Sequence, residues 1–288
     1  MPEEILVYKI TRSETEQLHF DLPDFDTITT ALPEGLYTTF RTYAGRSRVV
    51  GLHSHLARLY LPARVRGITP TVRRQDDFRE ILYDLLKRRD DDIQEARVRL
   101  ILDTSVDAGT IYVLLAAMQA LPAEVYENGV RLDISKARRE LPALKRTEFI
   151  SKSSTERKRV GGGIFELLLI NRGRILEGVT SNFFYILDGV LCTAGRGILI
   201  GVTRQTVLTL AKREGIEICY KALALNGLSA VEEAFITSSS RGVVPVVQIG
   251  EQQIANGQVG ETTRRLMNLY QREVLSLAEE IIDEPKSL

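Results

Sequence analysis

Short strand-like runs alternate with amphipathic helical segments along the whole chain, and this alternation restricts it to a mixed α/β architecture. EILVYKI (4–10) and LYTTFRTY (36–43) are rich in the β-branched and aromatic residues that strands favour. AGRSR (44–48) then turns the chain, and Leu52, Leu56, Leu59 and Tyr60 recur at helical spacing. DDFREILYDLLKRR (76–89) sets Phe78, Ile81, Leu82, Leu85 and Leu86 on one helical stripe. Strands over 96–103 (ARVRLILD) and 110–117 (TIYVLLAA) complete a first α/β unit. Periodicity lapses over 118–129, where Pro122 and Gly129 stand, so an interdomain connection is expected there. A second unit follows: a strand over 130–137, a helix near 148–160, strands over 164–176 and 182–193, and a helix over 203–215 ended by Gly215. Strands over 232–239 and 243–250 and a closing helix over 260–282 finish it. The expected organisation is a smaller α/β domain over 1–120, a linker over 121–129 and a larger domain over 130–288, with ligands favouring the interdomain cleft.

Composition removes several functions. Lys plus Arg number 38 and so do Asp plus Glu, so no net field favours nucleic acid as a partner. Cys192 and Cys219 stand in no CxxC or Cys/His cluster, which fits a reducing compartment and argues against structural zinc. His19, His53 and His55 are too few and too scattered for a metal site, so no metal is expected. MPEEILVYKI has no basic segment before an apolar core, and no apolar stretch approaches a membrane span. A cytoplasmic protein without membrane partners is expected.

Four places carry residues suited to chemistry. In RGRILEGVTSNFFYILDGVL (172–191) one carboxylate, Glu177, stands where the first apolar run ends; read alone, it is a solvated strand-end residue. In ILIGVTRQTV (198–207) Gly201 permits a tight turn before a helix capped by Val202 or Thr203, and the first N–H groups of such a helix can bind a phosphate or simply be capped by threonine. FITSSSRGVVPV (235–246) runs a strand into serines, including Ser238 and Ser239, which make either an anion nest or an ordinary polar loop. Arg58 in HSHLARL suits bidentate phosphate pairing, or is a solvated helix arginine.

In this order, HxxRL, a lysine, EGxxSN, GVTR and a serine-rich strand end resemble the class-IV (fold-type IV) pyridoxal-phosphate enzymes, which include branched-chain and D-amino-acid aminotransferases and aminodeoxychorismate lyase. The resemblance runs from about Gly35 to about Leu266, and LEGVTSNFF with ILIGVTR is its most specific part. It implies a two-domain, D-amino-acid aminotransferase-like fold whose larger domain binds pyridoxal 5'-phosphate. A carboxylate against the pyridinium nitrogen keeps it protonated, and the resemblance assigns Glu177 that task. It also implies a lysine that forms a Schiff base with the cofactor and shuttles a proton. Lys136, Lys145, Lys152 and Lys158 are the candidates; the family's lysine precedes its glutamate by slightly over thirty residues, which favours Lys145. By the same resemblance Arg58, Val202, Thr203, Ser238 and Ser239 hold the phosphate, Asn182 fixes the strand of Glu177, and Tyr37 lines the substrate side.

The chain also departs from the family. Its LPEGLYTTF has Thr38 where a glutamate is common, as in some aminodeoxychorismate lyases, and KRTEFIS lacks the tyrosine of the branched-chain enzymes. Arg97 and Arg99 fall on one strand face and either bind a substrate carboxylate or face solvent. The expected activity is transamination between an amino acid or amine and a 2-oxo acid, in amino-acid metabolism, by a homodimer. The alternatives are a lyase releasing pyruvate from aminodeoxychorismate and a noncatalytic binding protein on the same scaffold.

Overall fold

The computed structural model describes residues 4–88 and 93–281. Arg89 and Ile282, the last residues of the helices expected over 76–89 and 260–282, lie outside the described residues. The described residues fall into two compact units, the first drawn from 4–88, 93–119, 144–151 and 274–281, the second from 120–143 and 152–273. The sequence suggests a single connection at 121–129, whereas the chain returns to the first unit at 144 and again at 274.

In the first unit, β1 (Leu6–Ile10), β2 (Thr15–Leu18), β3 (Gly35–Tyr43), β4 (Arg48–Val50), β5 (Ala96–Asp103) and β6 (Ile111–Ala117) form an antiparallel sheet with β17 (Ala278–Glu280). Its order is β17-β4-β3-β5-β6-β1-β2. The central strands β3, β5 and β6 are buried on both faces, which explains their nearly unbroken apolar runs. On one face α2 (Leu52–Val65) and α3 (Gln75–Lys87) pack Leu56, Leu59, Phe78 and Leu82 against Phe40, Val98 and Leu100. On the other, α1 (Phe25–Ala31) packs Phe25 and Ile28 against Tyr37, Ile101 and Tyr112. Asp24 caps α1 by accepting the Thr27 N–H at 2.8 Å.

The second unit opens with α4 (Ala123–Asn128), a short helix inside the stretch expected to be irregular, and β7 (Val130–Ser135). The single helix expected near 148–160 is two, α5 (Glu148–Lys152), which belongs to the first unit as far as Ser151, and α6 (Ser154–Arg157), separated at Ser153. The runs expected as single strands over 164–176 and 182–193 are hairpins, β8 (Glu166–Asn171) with β9 (Arg174–Gly178), and β10 (Asn182–Leu187) with β11 (Val190–Thr193). Their two-residue turns have positive φ at both positions, 48° and 70° at Arg172–Gly173 and 51° and 72° at Asp188–Gly189, the geometry that tight hairpins require. Next comes α7 (Val202–Arg213), whose N-cap is Gly201, one residue before Val202 and two before Thr203, the two expected caps. The chain continues through β12 (Ile218–Cys219), β13 (Leu223–Ala224), β14 (Glu233–Ser238), β15 (Gly242–Ile249) and β16 (Gln252–Gln253). The closing helix α8 (Glu261–Leu277) stops short of the expected end because Ala278–Glu280 pair with β4 as a strand.

The second sheet runs β12-β11-β10-β14-β15-β7-β8-β9-β13. β9 also meets β10 at Glu177↔Asn182, which closes β10, β14, β15, β7, β8 and β9 into a ring. Leu132, Leu168, Ile175, Phe183, Tyr185, Ile236 and Val244 form its core. The EGxxSN motif is therefore the seam of a closed sheet.

Candidate active site

Lys145 belongs to a short extended segment laid along the open edge of β3. Tyr37 donates its N–H to the Lys145 carbonyl at 2.7 Å, and Thr147 donates its N–H to the Gly35 carbonyl at 2.9 Å. Thr147 Oγ1 accepts the Gly35 N–H at 2.9 Å, and Leu36 bridges Arg146. That edge is open because β4 pairs with β3 only at Thr42 and Tyr43. Immediately downstream, Phe149 and Ile150 of α5 are buried and anchor the segment. The Lys145 side chain is half-buried, with Nζ 4.9 Å from the centroid of the Tyr37 ring, within cation–π range. Lys136, Lys152 and Lys158 are exposed, and Lys152 pairs with Glu140 at 3.1 Å.

Strand alternation sorts the other first-unit candidates onto two faces of β3. Tyr37 and Thr39 share a face with Arg97 and Arg99, as the spacing of the two arginines predicts. Arg99 is buried, and its Nη1 donates to the Phe25 carbonyl at 3.1 Å, Asp26 Oδ1 at 2.8 Å and Thr29 Oγ1 at 2.8 Å. Nε donates to Thr39 Oγ1 at 3.1 Å, so Arg99 pins α1 to the sheet. Arg97 lies over the Phe25 ring, its guanidinium carbon 4.5 Å from the centroid. On the opposite face His55 Nδ1 is 2.7 Å from Thr38 Oγ1, and Arg58 Nη1 approaches the same hydroxyl at 3.5 Å. Burial, then the charges of Arg58 and Lys145, hold the imidazole well below its usual 6.5, so it is neutral at pH 7.

Glu177 sits in the second unit, 2 % exposed. The β8–β9 register slips by one residue beside it, and such a bulge re-aims the side chain that follows. Glu177 Oε2 accepts the Leu199 N–H at 2.9 Å, and Oε1 lies 3.1 Å from Arg139 Nε. Asn182, directly opposite, donates Nδ2 to the Leu199 carbonyl at 2.7 Å. One residue, Leu199, is thus clamped through its N–H and its carbonyl by both residues of the seam, shortly before α7. Two glycines make this approach possible. A Cβ on Gly201 would stand 2.1 Å from Asn182 Oδ1, and one on Gly178 would stand 2.1 Å from Ser181 Oγ.

No side chain caps α7, which leaves the first-turn N–H groups of Val202 and Thr203 for a ligand. Thr203 is buried, as is Thr237, whose Oγ1 has no partner among the described residues. A buried helix start with a spare hydroxyl in the same unit suits an anion. Ser238 and Ser239 are half-buried, and Ser238 Oγ accepts from Arg241 Nε at 3.1 Å. Arg241 Nη2 reaches Glu166 Oε2 at 3.0 Å and also Thr180, whose hydroxyl donates to Glu166.

Arg139, Glu166, Thr180, Arg241 and His55 escape the sequence reading as site residues. Glu166 carries a signal, since an acid inside the apolar run IFELLLI needs a partner once buried. Arg139, in the polar run KARRELP, carries none. No group of His, Cys, Asp and Glu able to hold a metal occurs among the described residues, and no helix there is long and apolar enough to cross a membrane.

Known proteins place this geometry in context. The family model described as Amino-transferase class IV matches residues 35–249. A Methanocaldococcus jannaschii protein, provisionally named a branched-chain-amino-acid aminotransferase, is 30% identical over 255 residues, covering 82% of this chain and 86% of its own. The D-alanine aminotransferase of Bacillus licheniformis is 29% identical, covering 84% and 88%. Among solved structures, the T.th. branched-chain amino acid aminotransferase with pyridoxamine 5'-phosphate superposes with a TM-score of 0.77 at 19% identity, covering 96% of this chain and 98% of that one, and so shares the fold.

Proposed function

This chain belongs to the class IV amino-transferase family, and from that premise we propose that Lys145 bears the cofactor, that Glu177 faces its ring nitrogen, and that Tyr37, Arg97 and Arg99 form the substrate side. The protein is a pyridoxal-phosphate-dependent aminotransferase that moves an amino group between an amino acid and a 2-oxo acid. When bound, pyridoxal phosphate draws electrons from the substrate's Cα into its pyridinium ring.

The remaining work falls to side chains. The observation that carries the lysine assignment is burial: of the four candidates only Lys145 is withdrawn from solvent, with Nζ over the Tyr37 ring. Its amine moves the proton from the substrate's Cα to the carbon two bonds away, beyond the amino nitrogen, which is the 1,3-shift transamination requires. Glu177, buried and oriented by the Leu199 N–H, accepts the ring N–H. The α7 start at Val202 and Thr203, with Ser238, Ser239 and Arg58, holds the phosphate. Arg99, whose guanidinium lies over the Tyr37 ring, is the residue we assign to the substrate carboxylate, with Arg97 reinforcing the positive field on that face.

Borohydride reduction of the purified holoenzyme followed by peptide mapping tests this reading; the label is expected on Lys145, and a label on Lys136, Lys152 or Lys158 would overturn it. Stoichiometric conversion of the cofactor to its pyridoxamine form by an amino donor alone is the expected second result. Release of pyruvate from aminodeoxychorismate without that conversion would identify the lyase instead. We further propose a cytoplasmic homodimer. The free thiols Cys192 and Cys219 fit a reducing compartment, and light scattering checks the assembly.

A further inference from the structure

Glu177 is paired before any ligand arrives. The Arg139 side chain is 7 % exposed and that of Glu177 2 %, and Nε stands 3.1 Å from Oε1. Arg139 Nη2 also donates to the Val179 carbonyl at 2.9 Å, so one guanidinium spans the acid and the turn that follows it. The second buried acid beside this turn, Glu166, whose Cγ would lie 3.2 Å from a Cβ on Gly178, already has Arg241 at 3.0 Å. Each acid therefore has its own arginine.

From this geometry we infer that Arg139 is a positioning residue that keeps Glu177 ionised, so that the proton between Glu177 and the cofactor's ring nitrogen rests on nitrogen. The inference depends on the assignment of Glu177 above. Only the location of one proton is at issue: on nitrogen it leaves a cationic ring, a carboxylate and a guanidinium in a row, and on Glu177 it leaves a neutral acid against the guanidinium. The second arrangement brings the proton toward a positive charge and removes the partner of a buried cation, and both effects disfavour it. The Leu199 N–H adds to the preference by donating to the ionised carboxylate.

The experiment uses holoenzyme loaded with ring-15N pyridoxal phosphate, whose nitrogen shift reports protonation directly. In Arg139→Gln the amide ends at the level of Nε, beside Glu177, and the charge is gone; Arg139→Met is the second neutral variant should the first not fold. Arg139→Lys is the conservative one. The neutral variants are expected to move the signal toward unprotonated nitrogen and to lower kcat about 10- to 100-fold, one to two pK units of proton affinity, with KM changing less than about 3-fold. Lysine is expected to restore the protonated signal. In cofactor-free protein, a double-mutant cycle of Arg139→Gln and Glu177→Gln by urea unfolding is expected to show coupling, because the two groups touch. If Glu177→Gln moves the nitrogen signal and the neutral Arg139 variants do not, the inference is overturned while the Glu177 assignment stands. If Glu177→Gln leaves the signal unmoved, that assignment falls and takes the inference with it.

Discussion

Lys145 and Glu177 are held in opposite ways. The lysine lies on a short segment hydrogen-bonded to one edge of β3, and its side chain is half-buried. The glutamate is part of a sheet closed on itself, 2 % exposed, with one oxygen on a backbone N–H and the other beside a guanidinium. The difference matches the work proposed for them. A group that carries a proton between two atoms needs rotational freedom at its tip, whereas a group that fixes a ring's charge must not turn.

Mutations should separate these two modes of support. The largest effect is expected for Lys145→Ala, with turnover at saturating donor falling about 10⁴-fold. Stability of the cofactor-free protein should change by less than about 0.5 kcal/mol, because the side chain is half-buried and lies outside the sheet ladders. Equal losses in both would mean that the lysine is structural. Glu177→Ala should invert the pattern in the cofactor-free protein: leaving Arg139 buried without its carboxylate costs about 3–5 kcal/mol in urea unfolding. Gly201→Ala forces a Cβ to within 2.1 Å of Asn182 Oδ1. Displacing the Leu199 clamp in this way is expected to cost about 1–3 kcal/mol and to weaken pyridoxal phosphate binding about tenfold, or about 1.4 kcal/mol. An unchanged dissociation constant would show that the clamp does not order the helix start.

The smallest effect is a pH dependence. His55 has its pKa lowered well below 6.5 in the folded protein, so below that pH the unfolded chain binds a proton that the folded one refuses. The stability this residue contributes is complete above pH 6.5 and declines as the pH falls, by at most about 1.4 kcal/mol per pH unit. The slope should disappear in His55→Gln and become shallower in Lys145→Ala, since Lys145 is one of the charges opposing protonation. Thermal unfolding of the three proteins between pH 5 and 7.5 measures it.

The same contrast explains what can be read from the sequence. The hairpin of Glu177 is local: Glu177 and Asn182 face each other across a few residues, and the intervening Gly and small polar residues mark the turn. Most strands and helices are legible for the same reason, their periodicity being local. The hairpin turns at Arg172–Gly173 and Asp188–Gly189 escape such a reading because apolar runs on both sides mask the glycine signal. The setting of Lys145 is hidden because its strand partner, Leu36–Tyr37, is remote in sequence. The family spacing points to it, and periodicity does not. Arg139 is hidden more deeply, since a lone arginine in a polar loop gives no sign that a buried acid will claim it. The end of α8 departs from the expectation because Ala278–Glu280 continue a helical pattern, yet an edge of the first sheet is open to them.

The threading of the chain has a practical consequence. Residues 144–151 belong to the first unit although residues on both sides of them belong to the second. No single cut in the gene therefore releases either half as a contiguous piece. A fragment ending at Gln119 would lack the strip laid along β3 and would leave that edge bare to pair with other copies of itself. During synthesis the first-unit sheet must likewise wait for Ala278–Glu280, its last strand, to leave the ribosome.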